Sequence, residues 1–142
     1  MNPIKLEVGR HGLEIHPPDT VVLRWRGAVA PHELEAIFSE VEGRCAGWPI
    51  IMTLSDLRQL STMPPATRKL LPSLARELPL RGDVSFGGPL VLAATGALLN
   101  KMINLLGGHD NPFAHFDDEA AARAWIAKRR EALRREKLAR LA

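Results

Sequence analysis

The sequence has a single cysteine, Cys45, and therefore cannot form a disulfide within the chain. Disulfide frameworks are typical of secreted domains, so this composition favours a reducing compartment. The first ten residues, MNPIKLEVGR, contain no apolar run of the kind that a secretory signal requires. Both features lead us to expect a cytoplasmic protein.

The chain also lacks the short motifs that mark common catalytic and cofactor sites. Neither G-x-G-x-x-G nor G-x4-G-K-[ST] occurs, and no G-x-S-x-G elbow would hold a nucleophilic serine. The five histidines do not fall at the spacings of zinc ligands, and one cysteine cannot supply a structural zinc site. We therefore expect no cofactor, no metal and no catalytic residues, which means that the protein is not an enzyme.

The net charge of +3 is small, but it is unevenly distributed. Residues 1–116 contain 11 basic and 11 acidic residues, whereas residues 117–142 contain 8 and 5. We interpret the basic tail, KRREALRREKLARLA, as a solvated helix with ion pairs four residues apart, and contact with phosphates or an anionic membrane is the alternative. Interleaved aromatic residues are absent beyond Trp125, so nucleic acid is not an expected partner.

What the sequence does contain is the composition of an ordinary globular protein, with 46% hydrophobic and 25% charged residues in 142 positions. A chain of this length is typical of one domain. No repeat or long linker divides it. We therefore expect a single domain over residues 1–142, in which residues 116–142 form a C-terminal helix with the basic tail.

Apolar spacing alternates between strand and helix periods along the chain. VVLRWRG places Val21, Leu23 and Trp25 on one side, as in a half-buried strand, and PIIMTL is the continuous run expected of a central strand. Between them, APHELEAIFSEVEGRC shows helical spacing with Pro31 in its first turn. The predicted order is ββαβαβαβα, an α/β fold in which helices cover a mixed sheet of about five strands.

Two of the predicted helices carry residues that constrain their structure. PPATRKLLPSLAREL has helical spacing, but Pro72 lacks a backbone donor and should kink or split the helix. The last helix follows Asp117 and Asp118, either of which can cap it. Its Trp125 is expected to be largely buried, because it shares an apolar helical face with Ile126.

The segment PLVLAATGALLNKMINLLGG is uncharged except for Lys101 and is predicted to form a largely buried helix that ends at Gly107 and Gly108. A membrane span needs about 20 mainly apolar residues. The apolar stretch at residues 90–106 is shorter and contains Asn100, Lys101 and Asn104, so we expect no transmembrane segment and favour core packing. The alternative is one wall of a pocket for an apolar ligand. The residues selected for that pocket lie on or after this helix: Leu90, Leu99, Ile103 and Phe116.

Three segments of the chain match the patterns of one protein family. They are IIMTLSDLRQLST, a strand and loop; GGPLVLAATGALLNKMINLL, an apolar helix; and PFAHFDDEAAARAWI, a strand followed by an acid-capped helix. Together they resemble the bacterial STAS domain, the fold of anti-sigma-factor antagonists, and especially its divergent relatives grouped with CRAL-TRIO lipid-transfer domains. The resemblance implies a STAS-like α/β fold and a protein partner, or a lipid-like ligand through the lipid-transfer relatives.

Regulatory members of the STAS family carry the pattern D-L-x-x-x-D-S-S-G, whose second serine is phosphorylated by a partner kinase. The opening of this pattern is present at Asp56, but Ser61 stands at its second aspartate. Thr62 then stands at the first serine, Met63 at the phosphoacceptor and Pro64 at the glycine. The resemblance therefore implies that the usual phosphorylation switch is missing.

The hydroxyls at this junction are interpreted first as helix caps. Ser61 or Thr62 can accept a backbone N–H at the start of a helix near Pro65. Asp56 can fix the loop as a hydrogen-bond acceptor. A phosphate on either hydroxyl would instead meet Arg68 and the positive end of the helix. The residues selected as a partner-binding or switch-like site are Asp56, Ser61, Thr62 and Arg68.

Two hypotheses for function follow. The first is a non-catalytic protein-interaction or regulatory module that uses this junction. The second is a carrier or sensor of an apolar, lipid-like ligand. An open cavity lined by Leu90, Leu99, Ile103 and Phe116 would favour the carrier, whereas a filled core would favour the interaction module. An exposed edge strand or apolar patch would support a homodimer.

Overall fold

The computed structural model describes residues 2–108 and 110–142. Its strands are β1 (Ile4–Val8), β2 (His11–His16), β3 (Thr20–Ala28), β4 (Ile51–Thr62), β5 (Leu80–Phe86) and β6 (Phe113–Phe116). Its helices are α1 (Pro31–Arg44), α2 (Pro65–Ala75), α3 (Leu90–Gly107) and α4 (Glu119–Leu141). Within the described residues the order is therefore βββαβαβαβα, with one strand more than the sequence predicts.

The additional strand lies in the N-terminal segment KLEVGRHGLEIHP, whose apolar alternation on either side of a glycine-containing turn counts as one strand in the predicted order. Gly9 adopts a φ of 63°, and the chain reverses there so that Val8 pairs with His11. A positive φ suits glycine because it has no Cβ. The apolar positions change phase across this turn, from Leu6 and Val8 to Leu13, so each arm of the hairpin is a strand of its own.

The strands described in the structure form one sheet in the order β1-β2-β3-β4-β5-β6. β1, β2 and β3 pair antiparallel, whereas β3 to β6 pair parallel. Parallel neighbours need a crossover connection, and α1, α2 and α3 provide the crossovers. The predicted α/β fold, a mixed sheet with helices packed on it, is confirmed.

Alternating side chains form a separate hydrophobic cluster on each face of the sheet. On one face, Val21 and Ile51 pack with residues of the crossover helices. On the other face, Val22, Met52 and Leu54 pack under α4. The two-residue period of the strands therefore divides the core, so that α1 to α3 cover one face and α4 covers the other.

Helix α4 begins as the sequence predicts. Its N-cap is Asp118, whose Oδ1 accepts the backbone N–H of Ala121 at 2.8 Å. The prediction that Trp125 is largely buried is wrong, since this side chain is only half-buried. Its ring lies against Gly82 at the margin of the α4 cluster, and a Cβ on Gly82 would come within 3.3 Å of the ring.

Helix α2 differs from the prediction in two ways. It is not split at Pro72, because this residue lies in the last turn, where a missing donor affects only the end of the helix. Neither Ser61 nor Thr62 caps it, and the N-cap is Pro64. The Thr62 carbonyl accepts the backbone N–H of Val29 at 3.1 Å, so the chain is still extended there. The capping prediction is wrong because strand β4 extends beyond its run of apolar residues and includes Ser61 and Thr62.

Helix α3 is far more exposed than predicted, although it ends as expected, with Gly108 at a φ of 65°. Its buried residues are Ala93, Leu99, Asn100 and Ile103. Its outer side presents large apolar side chains to solvent: Leu90, Val91, Leu98, Met102, Leu105 and Leu106. The prediction of a largely buried helix is wrong because only one side of α3 faces the rest of the protein.

Among the described residues, α3 is the single helix that is long and apolar enough to cross a membrane, judged by length and composition alone, and 22% of it is buried. In this fold α3 packs against α2, β5 and β6. Its apolar composition therefore also fits a crossover helix with an exposed outer side.

Candidate functional site

A cavity of about 410 Å³ lies between the sheet and the crossover helices. Its walls are mainly aliphatic, and they include Val21, Leu23, Ile37, Leu71, Leu99 and Ile103. Protein interiors are normally close-packed, with few voids larger than a water molecule. A cavity of this size therefore marks a region where the helical layer does not fill the space above the sheet.

The floor of the cavity is polar because hydroxyl and carboxyl side chains alternate along two neighbouring strands. Thr53 on β4 pairs with Asp83 on β5, and Ser55 pairs with Ser85. All four line the cavity. The indole of Trp25, on β3, donates its Nε1–H to Ser55 Oγ over 3.2 Å. The parallel register of β4 and β5 thus gathers polar groups on the cavity side of the sheet.

Asp83 is the acidic group of this floor. Its Oδ1 accepts the Thr53 hydroxyl at 3.1 Å, and its Oδ2 accepts an Nδ2–H of Asn100 at 3.3 Å. Burial raises the pKa of Asp83 to about 6, and the two hydrogen bonds offset this only in part. No cation in the described part of the chain pairs with it. Asp83 is thus a deep carboxyl group held by neutral donors, and the cavity leaves part of it accessible.

Asn111 carries a second unfilled acceptor near the cavity, but this one is enclosed by the protein. Asn104 fixes the surroundings, since its Nδ2 donates to Asn100 Oδ1 and to the Asn111 carbonyl, both at 3.0 Å. The Asn111 side chain is buried, and its Oδ1 has no hydrogen-bond partner among residues 2–108 and 110–142. A buried acceptor without a donor costs free energy. Since the Asn111 Oδ1 has almost no accessible surface, Asp83 is the acceptor whose unfilled capacity faces the cavity.

Ser61, Thr62 and Arg68 lie at the rim of the cavity, where all three are exposed. Met63, which connects β4 to α2, lines the cavity as well. The structure thus brings together three of the four residues selected for partner binding. Asp56 is separate from them, because the alternation of β4 places it on the α4 face of the sheet.

Asp56 belongs to an ion-pair network on the α4 face. Its Oδ2 accepts Nη2–H of Arg58 at 2.8 Å and Nη1–H of Arg24 at 3.1 Å. Arg24 also donates to Glu14 at 2.7 Å and to Glu119 at 3.0 Å. Burial acts to raise the pKa of Asp56, but the bonds from Arg58 and Arg24 hold it below its usual range. Asp56 is an acceptor, as predicted, but it lies within β4 and joins strands to α4 instead of fixing a loop.

The four residues selected for an apolar pocket do not lie together: they are divided between the two faces of the sheet and the surface of the protein. Leu99 and Ile103 line the cavity. Leu90 does not, because it is 80% exposed at the start of α3. The placement of Phe116 is also wrong, since the alternation of β6 turns it into the cluster under α4. Phe113, on the same strand, lines the cavity in its place.

Asp83 is not among the residues selected from the sequence, although one signal is present. The segment DVSFGG has the pattern of a short strand, and an aspartate within a strand is an unusual residue for a core element. Its meaning depends on the register that pairs it with Thr53 and on the packing of α3, which supplies Asn100. Neither contact is encoded in a local pattern.

Ser85 and His115 form a hydroxyl–imidazole contact at the cavity floor, with Oγ and Nδ1 2.7 Å apart. A nucleophilic serine also needs hydrogen-bond donors for the oxyanion that it generates. Ser85 lies inside β5, which pairs with Ser55 on one side and with His115 on the other. The backbone donors around Ser85 are therefore used within the sheet, and the contact acts as a cross-strand hydrogen bond.

No group of three or more His, Cys, Asp or Glu side chains that could hold a metal ion occurs in the described residues. His109 lies outside the described residues. Cys45 is buried, and burial raises the pKa of its thiol to about 11. A thiol of this kind is a poor nucleophile and a poor metal ligand.

Comparison with known proteins bears on the fold. No protein-family model matches the sequence. A search of curated protein sequences also gives no significant match. The structure is similar to that of an uncharacterized protein from the DUF3478 family of Shewanella loihica PV-4, which is described as SpoIIAA-like in fold. The TM-score is 0.59 at 20% sequence identity, and the match covers 88% of this chain and 95% of that chain. The chain has a SpoIIAA-like fold.

This SpoIIAA-like fold confirms the STAS-like architecture that the three sequence segments predict. The similarity concerns the backbone arrangement, because 20% identity does not extend to the side chains of a site. Function must therefore be argued from the residues of this chain.

Proposed function

We propose that this protein is a cytoplasmic, non-catalytic binding domain that carries or senses an apolar small molecule in the cavity between the sheet and the crossover helices. The cavity carries the proposal. Its volume of about 410 Å³ is within the range of small-molecule sites, which are concave, mainly apolar and supplied with a few polar groups. The polar floor at Thr53, Ser55, Asp83 and Ser85 has that character.

Ligand extraction is the first test of this proposal. The protein is purified from its own cells, and native mass spectrometry compares its mass with that of the denatured chain. We expect a co-purifying small molecule that organic solvent releases. Titration with 1-anilinonaphthalene-8-sulfonate then measures whether an apolar probe binds with a defined stoichiometry.

Filling the cavity provides the matched test. Leu99→Phe adds volume at the cavity wall, whereas Leu105→Ser changes a residue that is 84% exposed on the outer side of α3. The first variant should lose at least about tenfold in probe affinity because the ring occupies the space that the ligand needs. The second should bind as the unchanged protein does. Equal binding by both variants would place the probe outside the cavity.

A protein-interaction module is the second candidate, and the outer side of α3 favours it. Contiguous exposed apolar side chains mark interaction surfaces in monomeric proteins. Light scattering after gel filtration tests whether the partner is a second copy of the chain. If it is, Leu98→Asp combined with Leu105→Asp should convert a dimer into a monomer without loss of folding.

Phosphorylation at the cavity rim would be part of this protein-interaction function. Met63 stands at the STAS phosphoacceptor, so a kinase that recognises that position has no hydroxyl to modify. Ser61 and Thr62 are exposed beside Arg68 and remain available to another kinase. Intact-mass analysis of the native protein decides the matter: stoichiometric phosphate on either residue would favour a displaced switch, and unmodified protein would favour constitutive binding.

A further inference from the structure

The floor of the cavity is unusual in its charge. Asp83 lies there with hydrogen bonds from Thr53 and Asn100, which are both neutral donors. Ionised carboxylates inside proteins are normally paired with a cation, because unpaired burial is costly. The other charged residue on the cavity lining, Arg68, is exposed at the rim and forms no ion pair with Asp83 among the described contacts.

The unused hydrogen-bonding capacity at this floor consists of acceptors. The Asp83 carboxylate has two oxygens with about four lone-pair positions, of which the protein fills two. A ligand that matches this floor must therefore bring donors. A primary ammonium group brings three donors and a positive charge, whereas an alcohol brings one donor and a carboxylate brings none.

We infer that the cavity takes a primary amine with an apolar tail, whose ammonium group donates to Asp83 while the tail lies against the aliphatic walls. The inference rests on the proposed function, since it names the chemical class of the ligand for the same cavity. Charge complementarity determines the orientation: the cationic head lies on the sheet and the tail lies between the helices.

Isothermal titration calorimetry at pH 7.5 with octylamine, 1-octanol and octanoate tests the inference, because the three probes share one tail and differ in the head. Octylamine should bind about tenfold or more tightly than 1-octanol, since a charge-assisted hydrogen bond is roughly twice as strong as a neutral one. Octanoate should bind most weakly, because its carboxylate would face Asp83. Equal affinity for amine and alcohol, or a preference for octanoate, would overturn the inference and leave the proposed function in place.

The matched variants are Asp83→Asn and Asp56→Asn, which remove one carboxylate from each face of the sheet. Asp83→Asn should abolish the preference for octylamine over 1-octanol and leave the affinity for 1-octanol within about twofold. Asp56→Asn should leave the preference unchanged, because Asp56 lies on the α4 face. A preference that survives Asp83→Asn would overturn the assignment of Asp83. Failure of all three probes to bind the unchanged protein would instead overturn the proposed function itself.

Discussion

The two faces of the sheet contain an aspartate each, and the two side chains lie in opposite surroundings. Asp56, under α4, accepts hydrogen bonds from Arg58 and Arg24. Asp83, under α3, is held by a hydroxyl and an amide. The α4 face is also closed by Arg130, whose Nε and Nη2 donate to the buried Asp19 at 2.7 and 2.8 Å. The acid on the α4 face is therefore paired with cations, whereas the acid on the cavity face has only neutral partners, as the proposed ligand-binding role requires.

The largest expected difference between the faces is in packing. Leu54→Ala, in the filled α4 cluster, should lower the free energy of unfolding by about 3–4 kcal/mol, because it leaves a new void. Leu99→Ala, at the cavity wall, should cost about 1–2 kcal/mol, since one side of Leu99 already lacks neighbours. Urea denaturation measures both values. Equal losses would show that the two faces are packed alike.

Asp56→Asn should weaken the α4 face by about 1–2 kcal/mol at pH 7, because hydrogen bonds to a charged acceptor are lost. The pKa of Asp56 is lowered by Arg58 and Arg24 against the opposing effect of burial. A lowered pKa contributes stability above the unfolded value of about 4, and this contribution is lost as the pH falls through the folded value. The difference between variant and unchanged protein should therefore shrink as the pH falls below about 4, and it disappears only below the folded pKa. A difference that stays constant from pH 7 to pH 3 would contradict the ionic role of Asp56.

Asp83→Asn should change the free energy of unfolding in the opposite direction from Asp56→Asn. Burial raises the pKa of Asp83 to about 6, so its ionisation lowers stability as the pH rises from about 4 to 6. The amide variant should therefore be more stable by roughly 1–2 kcal/mol at pH 7.5 and equally stable near pH 4. Thermal unfolding at the two pH values measures the effect, and a destabilised variant at pH 7.5 would show that the carboxylate is compensated.

Truncation after Leu133 should have the smallest effect. It removes the pair between Arg81 and Glu136, which is partly exposed, but keeps the contact of Arg130 with Asp19. An ion pair of this kind contributes little to stability, because solvent screens it. The shortened chain should unfold cooperatively with little change in midpoint. If the tail contacts anionic partners, truncation should also abolish salt-sensitive retention on heparin.

The helices and strands were largely predictable, because each is specified by the spacing of apolar residues within its own short segment. The strand around Val21, the helix starting at Pro31 and the cap at Asp118 all follow from neighbouring residues, and the structure confirms them. Errors arose where a distant contact decides the outcome. Thr62 remains extended because its carbonyl pairs with Val29, and Phe116 lies under α4 because β6 enters the sheet in one register.

The site was less predictable than the fold for the same reason. An apolar helix gives no indication of whether another element covers its outer side, so the exposure of α3 could not be inferred from its composition. The hydroxyls at Ser61 and Thr62 were visible as a local cluster, and the structure places them at the cavity rim. Asp83 gains its character from Thr53 and Asn100, which lie far from it along the chain.

The position of Trp25 allows ligand binding in the cavity to be followed by tryptophan fluorescence. Trp25 lines the cavity and is 6% exposed, whereas Trp48 and Trp125 are absent from the lining residues in the described chain. The emission of an indole depends on the polarity and hydrogen bonding of its surroundings, and Trp25 is bonded to Ser55 on the cavity floor. A ligand that displaces solvent from this floor should shift the emission to shorter wavelength. With Trp48 and Trp125 replaced by Phe, the emission of Trp25 alone would show whether the cavity is occupied, and no added label would be needed.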